Sequence, residues 1–145
     1  VLHPDMHCAD FVSRASNHAP MSTKAIGDRG ESIASDHLEQ KGYRVMDTNY
    51  RFERNELDLI CFDPTARKGR GEIVFVEVKT RTGLDFGMPE EAVDEEKQTR
   101  IVEVAKAYLY ERNLEGSPSR FDVVSVILNQ GDAPTVDHYE DAFQA

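Results

Sequence analysis

Between Thr23 and Lys41 the residues Gly27, Gly30, Glu31, Ala34 and Leu38 fall on one stripe at helical spacing, which predicts an amphipathic helix. Ser22 or Thr23 can cap its start and Gly42 can end it. Each glycine in the stripe costs roughly 1 kcal/mol of helix stability relative to alanine. Their presence predicts that this helix approaches a backbone or a ligand closely. After Gly42 the period changes from helical to two. Tyr43–Thr48 alternates as a short strand, and residues 55–62 and 72–81 are apolar runs rich in β-branched and aromatic side chains, which read as buried strands. A second helix is predicted from an Asp94 cap to about Arg112, with Lys97, Ile101, Ala105, Tyr108 and Leu109 on one face. Residues 120–128 read as another buried strand and 135–139 as an edge strand. Helix, three strands, helix, then one or two strands predicts an α/β fold. Its architecture is a three-layer α/β/α sandwich around a mixed central sheet of four to five strands. Residues 1–22 lack periodicity and read as a flexible tail preceding a single domain over 23–145.

Two of the apolar strands carry charges that a buried strand should not tolerate. Glu77 and Lys79 are two residues apart in Glu72-Ile-Val-Phe-Val-Glu-Val-Lys79, so they project to one face. Glu56 and Asp58 repeat the pattern in the preceding strand. Burying such groups is costly unless they are fully satisfied or used. Neighbouring strands lie about 4.8 Å apart, so Asp58 and Glu77 can flank one small hard cation. Mg²⁺ or Mn²⁺ would find two carboxylates, the backbone carbonyl of Val78 and water as oxygen ligands. Lys79 beside them can orient or deprotonate an attacking water, an arrangement suited to phosphodiester hydrolysis. The competing reading is a satisfied structural ion-pair network, which the cost of three buried charges disfavours. The Glu-x-Lys triplet also occurs at Glu39 to Lys41 and Glu95 to Lys97, on predicted helices where it is ordinary solvated surface. The signal lies in the strand context. Glu56 is either a further ligand or a solvated residue at the strand start. Glu31 lies on the helix stripe and reads as a further site carboxylate, on a metal ion or on its water. Lys97 reaches a phosphate or a site carboxylate, or is a helix-start surface lysine. Asp122 in Arg120-Phe-Asp122 reads as structural.

Composition limits the partners. The formal net charge is −10 over 145 residues, which argues against a generic nucleic-acid binder. The imbalance is local, because residues 83–145 hold 14 acids and 5 bases while residues 41–82 hold 9 bases and 7 acids. Arg51, Arg54 and Arg81, with Lys97 and the loop bases Arg67, Lys68 and Arg70, are candidate phosphate contacts. The two cysteines, Cys8 and Cys61, have no zinc spacing, and Cys61 reads as a buried core residue. No apolar run approaches the length of a membrane span, and no signal-peptide pattern is visible at the start. The expectation is a reduced, cytoplasmic protein without a membrane partner.

The motif Asp58…Glu77-Val-Lys79 resembles that of the PD-(D/E)XK nuclease superfamily, which includes restriction endonucleases and archaeal Holliday-junction resolvases. The likeness narrows to the bacterial YraN-like family through Gly27-Asp-Arg-Gly30-Glu31, Gly42-Tyr43, Glu56-Leu-Asp58-Leu-Ile60, Phe75-Val-Glu77-Val-Lys79-Thr-Arg81, Lys97 and Arg120-Phe-Asp122. It spans about residues 24–143. It implies a restriction-endonuclease-like fold with Glu31, Asp58, Glu77 and Lys79 at the site, and does not itself fix an activity. Where that family usually carries glycine before the first acid of the second strand, this chain has Asn55. Asparagine tolerates left-handed backbone geometry, so the turn is expected to survive.

Two functions follow as expectations. One is a Mg²⁺- or Mn²⁺-dependent endonuclease acting on DNA, on branched or single-stranded forms, with a homodimer suited to a four-stranded junction. The other is a catalytically silent module of the same fold that holds nucleic acid or a protein partner.

Overall fold

The computed structural model describes residues 21–82, 93–129 and 131–145. The tail expected over residues 1–22 therefore lies almost wholly outside the described residues. Helix α1 spans Thr23–Gln40. Ser22 caps it by accepting a hydrogen bond from the Ala25 N–H at 3.1 Å, and Gly42 ends it with a left-handed φ of 96°. Strands β1 (Arg44–Phe52), β2 (Asn55–Asp63) and β3 (Glu72–Thr82) follow. Helix α2 (Glu95–Glu111) connects β3 to β4 (Ser119–Leu128), and β5 (Thr135–Phe143) ends the sheet. Asp94 caps α2 as the sequence predicts, accepting from the Lys97 N–H at 2.8 Å.

The strands lie in the order β1-β2-β3-β4-β5. All neighbouring pairs are antiparallel except β3 and β4, which are parallel. A parallel pair needs a long crossover, and α2 supplies it. The expected mixed sheet is thus present, with five strands among the described residues. Its two faces carry separate apolar clusters. Leu57, Phe75, Val104, Tyr108 and Phe121 pack on the α2 side, and Ala34, Leu38, Leu59, Val76 and Val124 on the α1 side. A helix on each face makes the three-layer sandwich.

A close approach of α1 occurs at one glycine of the two, and it is to a side chain rather than to the backbone or ligand expected. A Cβ on Gly30 would sit 1.8 Å from Thr80 Oγ1, whereas one on Gly27 would meet nothing within 4 Å. Gly30 therefore seats α1 directly against β3, next to Lys79.

Two local expectations change. β1 runs past Thr48 to Phe52, because it continues into a tight hairpin whose closing pair is Phe52↔Asn55. The left-handed residue of that hairpin is Glu53, with φ 57°, and Asn55 is an ordinary strand residue. The glycine-to-asparagine departure therefore falls where no special backbone geometry is needed. Asn49 in β1 is also left-handed, with φ 48°. It stands level with Asp58, where the alternation of β2 slips. Leu57 joins the α2-side core, Leu59 the α1-side core and Ile60 the α2-side core again. Among the described residues no helix is long and apolar enough to cross a membrane.

Candidate active site

The β2–β3 ladder runs from Asp63↔Glu72 to Leu59↔Val76 and stops there. Beyond it the strands part, and the Asp58 side chain fills the gap. Asp58 Oδ2 accepts a hydrogen bond from the Val78 N–H at 2.7 Å, taking the place of a ladder bond. An extended residue turns its N–H and C=O to the same edge of the strand. The Val78 carbonyl therefore also faces the Asp58 side, as the sequence reading required of a ligand. Glu77 and Lys79 share a face, with Lys79 Nζ 3.9 Å from Glu77 Oε2.

Lys97 joins them from the first turn of α2. Its Nζ lies 2.7 Å from the same Oε2 of Glu77, so of its three alternatives the site-carboxylate contact is the one present. Asp58, Glu77, Lys97, Glu56 and Arg54 line one cavity of about 280 Å³. The Glu56 carboxylate is paired with Arg51 at 3.2 Å, which also occupies Arg51. Arg54 and Arg81 make no ion pair among the described residues, and Arg81 sits near enough to Lys79 to repel its proton. Glu31 is placed apart from this cavity. It accepts from Asn49 Nδ2 at 2.9 Å and lines a neighbouring cavity of about 470 Å³ with Lys24, Asp28 and Asn49. Its charge nevertheless reaches Asp58.

The electrostatics are those of a strained acid pair. Burial, followed by the charge of Glu77, pushes the Asp58 carboxyl up from 3.8 to about 8, against the opposing pull of the Val78 N–H. Burial, with Lys97 beside it, lowers the Lys79 ammonium from its ordinary value. Burial works against Lys97 too, but the hydrogen bond to Glu77 outweighs it and raises that lysine.

The donor set suits a small hard cation. Two carboxylates and a strand carbonyl supply oxygen only, leaving the other positions to water. A divalent ion would also relieve the repulsion that raises Asp58. Among the described residues no group of three or more His, Cys, Asp or Glu side chains converges on one point. Cys61 is buried as expected, and burial pushes its thiol up to about 12, leaving it inert as a ligand or nucleophile.

Sequence reasoning missed a second charged cluster at the opposite end of β3. Arg120 donates to Asp122 at 3.0 Å, Asp63 at 3.2 Å, Glu72 at 3.3 Å and the Tyr43 hydroxyl at 2.7 Å. Asp122 also binds His138 Nε2 at 2.7 Å and accepts from the Asp141 N–H at 2.9 Å. Asp122 is structural, as its sequence context suggested. Asp63 and Glu72 end their strands, so nothing in the linear pattern marked them as buried.

Comparison with known proteins agrees with the motif reading. The profile of Uncharacterised protein family UPF0102 matches residues 30–126. A UPF0102 protein of Trichlorobacter lovleyi is 40% identical over 120 residues, covering 83% of this chain and 91% of its own. One from Alkaliphilus metalliredigens is 43% identical over 108 residues, covering 74% and 90%. One from Chlorobium limicola is 39% identical over 132 residues, covering 88% and 95%. The match takes in both carboxylate strands, the Gly30 contact and the start of α2, so the chain belongs to the UPF0102 family, the YraN-like proteins whose motifs it carries.

Proposed function

We propose that the protein is a divalent-metal-dependent endonuclease that hydrolyses phosphodiester bonds in DNA, on branched or single-stranded forms. The observation that carries this reading is the meeting of Asp58 and Glu77 in one open cavity where the β2–β3 ladder ends, with Asp58 pushed up to about 8 and Lys79 Nζ 3.9 Å from Glu77. Asp58, Glu77 and the Val78 carbonyl would hold Mg²⁺ or Mn²⁺. When bound, such an ion supplies a more acidic water and stabilises charge on the phosphoryl oxygens. Lys79, whose proton affinity is lowered by burial, orients the attacking water or takes its proton. Arg54 at the cavity rim and Arg81 beyond Lys79 meet the flanking phosphates. Glu31 acts from outside the cavity, through its charge on Asp58.

The test is cleavage of linear duplex, single strand, flap, four-way junction and structured RNA in Mg²⁺ and in Mn²⁺, with Asp58→Ala and Lys79→Ala alongside. Wild-type cleavage that each variant loses by on the order of 100-fold or more supports the assignment. Equal cleavage by all three proteins refutes it. The preferred substrate emerges from the same gel. Light scattering on the junction complex tests the homodimer.

A second reading is a non-cutting module. It is favoured by a groove lined by Glu53, Glu103, Glu111 and Glu115 against one base, Lys106, together with Phe52 and Tyr110, the latter 71% exposed, a surface suited to a basic protein. Nucleic-acid affinity that falls steeply with salt, by a slope near −0.9 per phosphate contact on duplex, separates phosphate contacts from such docking.

A further inference from the structure

We infer that Lys97 is the counter-cation of the ion-free site, and that it changes partner when a divalent ion and a phosphodiester arrive together. The inference rests on the metal-site reading above and adds how that site is loaded. Both ammonium groups point at one atom. Glu77 Oε2 is 2.7 Å from Lys97 Nζ and 3.9 Å from Lys79 Nζ. That carboxylate is 6% exposed at its side chain, and its Oε2 is already taken by an ammonium.

The charge count points the same way. Arg54, Lys97 and Arg100 line the cavity together with Glu56, Asp58 and Glu77, so a divalent ion enters beside cations that are already there. A divalent ion entering alone adds two positive charges beside them. Arrival of a phosphodiester gives those charges a partner.

The two lysines differ in freedom. Lys79 is fixed within β3 and is 21% exposed at its side chain, whereas Lys97 stands in the first turn of α2 and is 34% exposed. Lys97 can swing outward on its four-carbon stem without moving the backbone. Once displaced from Glu77, its ammonium lies at the cavity mouth, where a phosphate oxygen would be. The ion and the polyanion therefore each make the other's site, and their binding is reciprocal.

Mn²⁺ binding tests this without reference to turnover. Free Mn²⁺ is counted by its aqueous electron paramagnetic resonance signal. Wild type, Lys97→Met, Lys97→Gln and Asp58→Asn are each titrated with and without a short phosphorothioate single-stranded oligodeoxynucleotide. Both Lys97 variants are expected to bind Mn²⁺ tighter than wild type in the absence of oligonucleotide. The gain is roughly tenfold or more, because a unit positive charge in contact with a would-be ligand carboxylate is gone. The oligonucleotide is expected to tighten Mn²⁺ binding by wild type several-fold more than by either variant. Lys97→Gln keeps a hydrogen bond to Glu77 and covers the case in which Lys97→Met fails to fold. If both variants bind Mn²⁺ no tighter than wild type, Lys97 is not a competing cation and the inference is overturned while the metal site stands. If wild type binds no Mn²⁺ under either condition and Asp58→Asn behaves identically, the metal-site reading fails and takes the inference with it.

Discussion

Replacing Asp58 with asparagine should stabilise the protein in the absence of metal, and by an amount that grows with pH. Asparagine keeps a carbonyl oxygen that can accept the Val78 N–H bonded at 2.7 Å, so shape and hydrogen bond survive while the charge is lost. In the folded state burial and the Glu77 charge raise the Asp58 carboxyl from 3.8 to about 8. The folded chain therefore holds a proton that the unfolded chain releases. A raised folded value gives stability that is fully present below about pH 3.8 and is lost progressively as pH climbs to about 8. Each unit of that window is worth about 1.4 kcal/mol. Water entering from the cavity reduces the total to on the order of 3–5 kcal/mol. The assay is urea unfolding followed by circular dichroism in EDTA, from pH 4 to pH 8.5. The asparagine variant should be nearly equal to wild type at pH 4 and clearly more stable at pH 8. Adding Mg²⁺ at pH 8 should narrow the gap, because only wild type offers the second carboxylate. A difference between the two proteins that is flat across this range, or wild type being the more stable at pH 8, would refute the account of Asp58.

Other consequences concern packing and the structural cluster. Gly30→Ala should lower stability by about 1–3 kcal/mol through overpacking, since its Cβ would fall 1.8 Å from Thr80 Oγ1. Thr80→Ala should recover part of that loss in a thermal melt of the double variant, and no recovery would mean that the helix seat is not set by this contact. Arg120→Met should cost about 3–5 kcal/mol, because it strands the buried carboxylates of Asp63, Glu72 and Asp122. A shift of the urea midpoint equivalent to less than about 1 kcal/mol would show those acids to be satisfied without it.

The fold was legible because its signals are local. The helix caps at Ser22 and Asp94 and the apolar runs of β2, β3 and β4 are each written within a few residues of sequence. The pairing of Glu77 with Lys79 was legible for the same reason, since two-residue spacing fixes a shared face. The slip beside Asp58 was not, because an apolar run does not show which of its residues turns to which helix. Nor could spacing show that Lys97, from a helix beyond the β3 strand, comes closer to Glu77 than Lys79 does. Periodicity supplies direction, and only tertiary packing supplies which charged end meets which.

β3 carries buried acids at both ends, and the contrast between them separates structure from chemistry. At its start, Glu72 joins Asp63 and Asp122 around one guanidinium. Burial opposes ionisation there, yet hydrogen bonds from Thr65 and Arg120 hold Asp63 below the usual carboxylate range, and those from His138 and Arg120 do the same for Asp122. That cluster is satisfied by the protein itself and resists acid. Toward the other end, Asp58 receives one backbone hydrogen bond and is driven the opposite way, to about 8. Both clusters are buried and both are acidic, so composition and burial do not distinguish them. What distinguishes them is that the planar, five-donor arginine saturates one, while the other is met by two lysines that converge on a single oxygen of Glu77 beside an open cavity. An acid pair met by lysines beside an open cavity, in a chain that closes its other buried acids around one guanidinium, is where the proposed cation would bind.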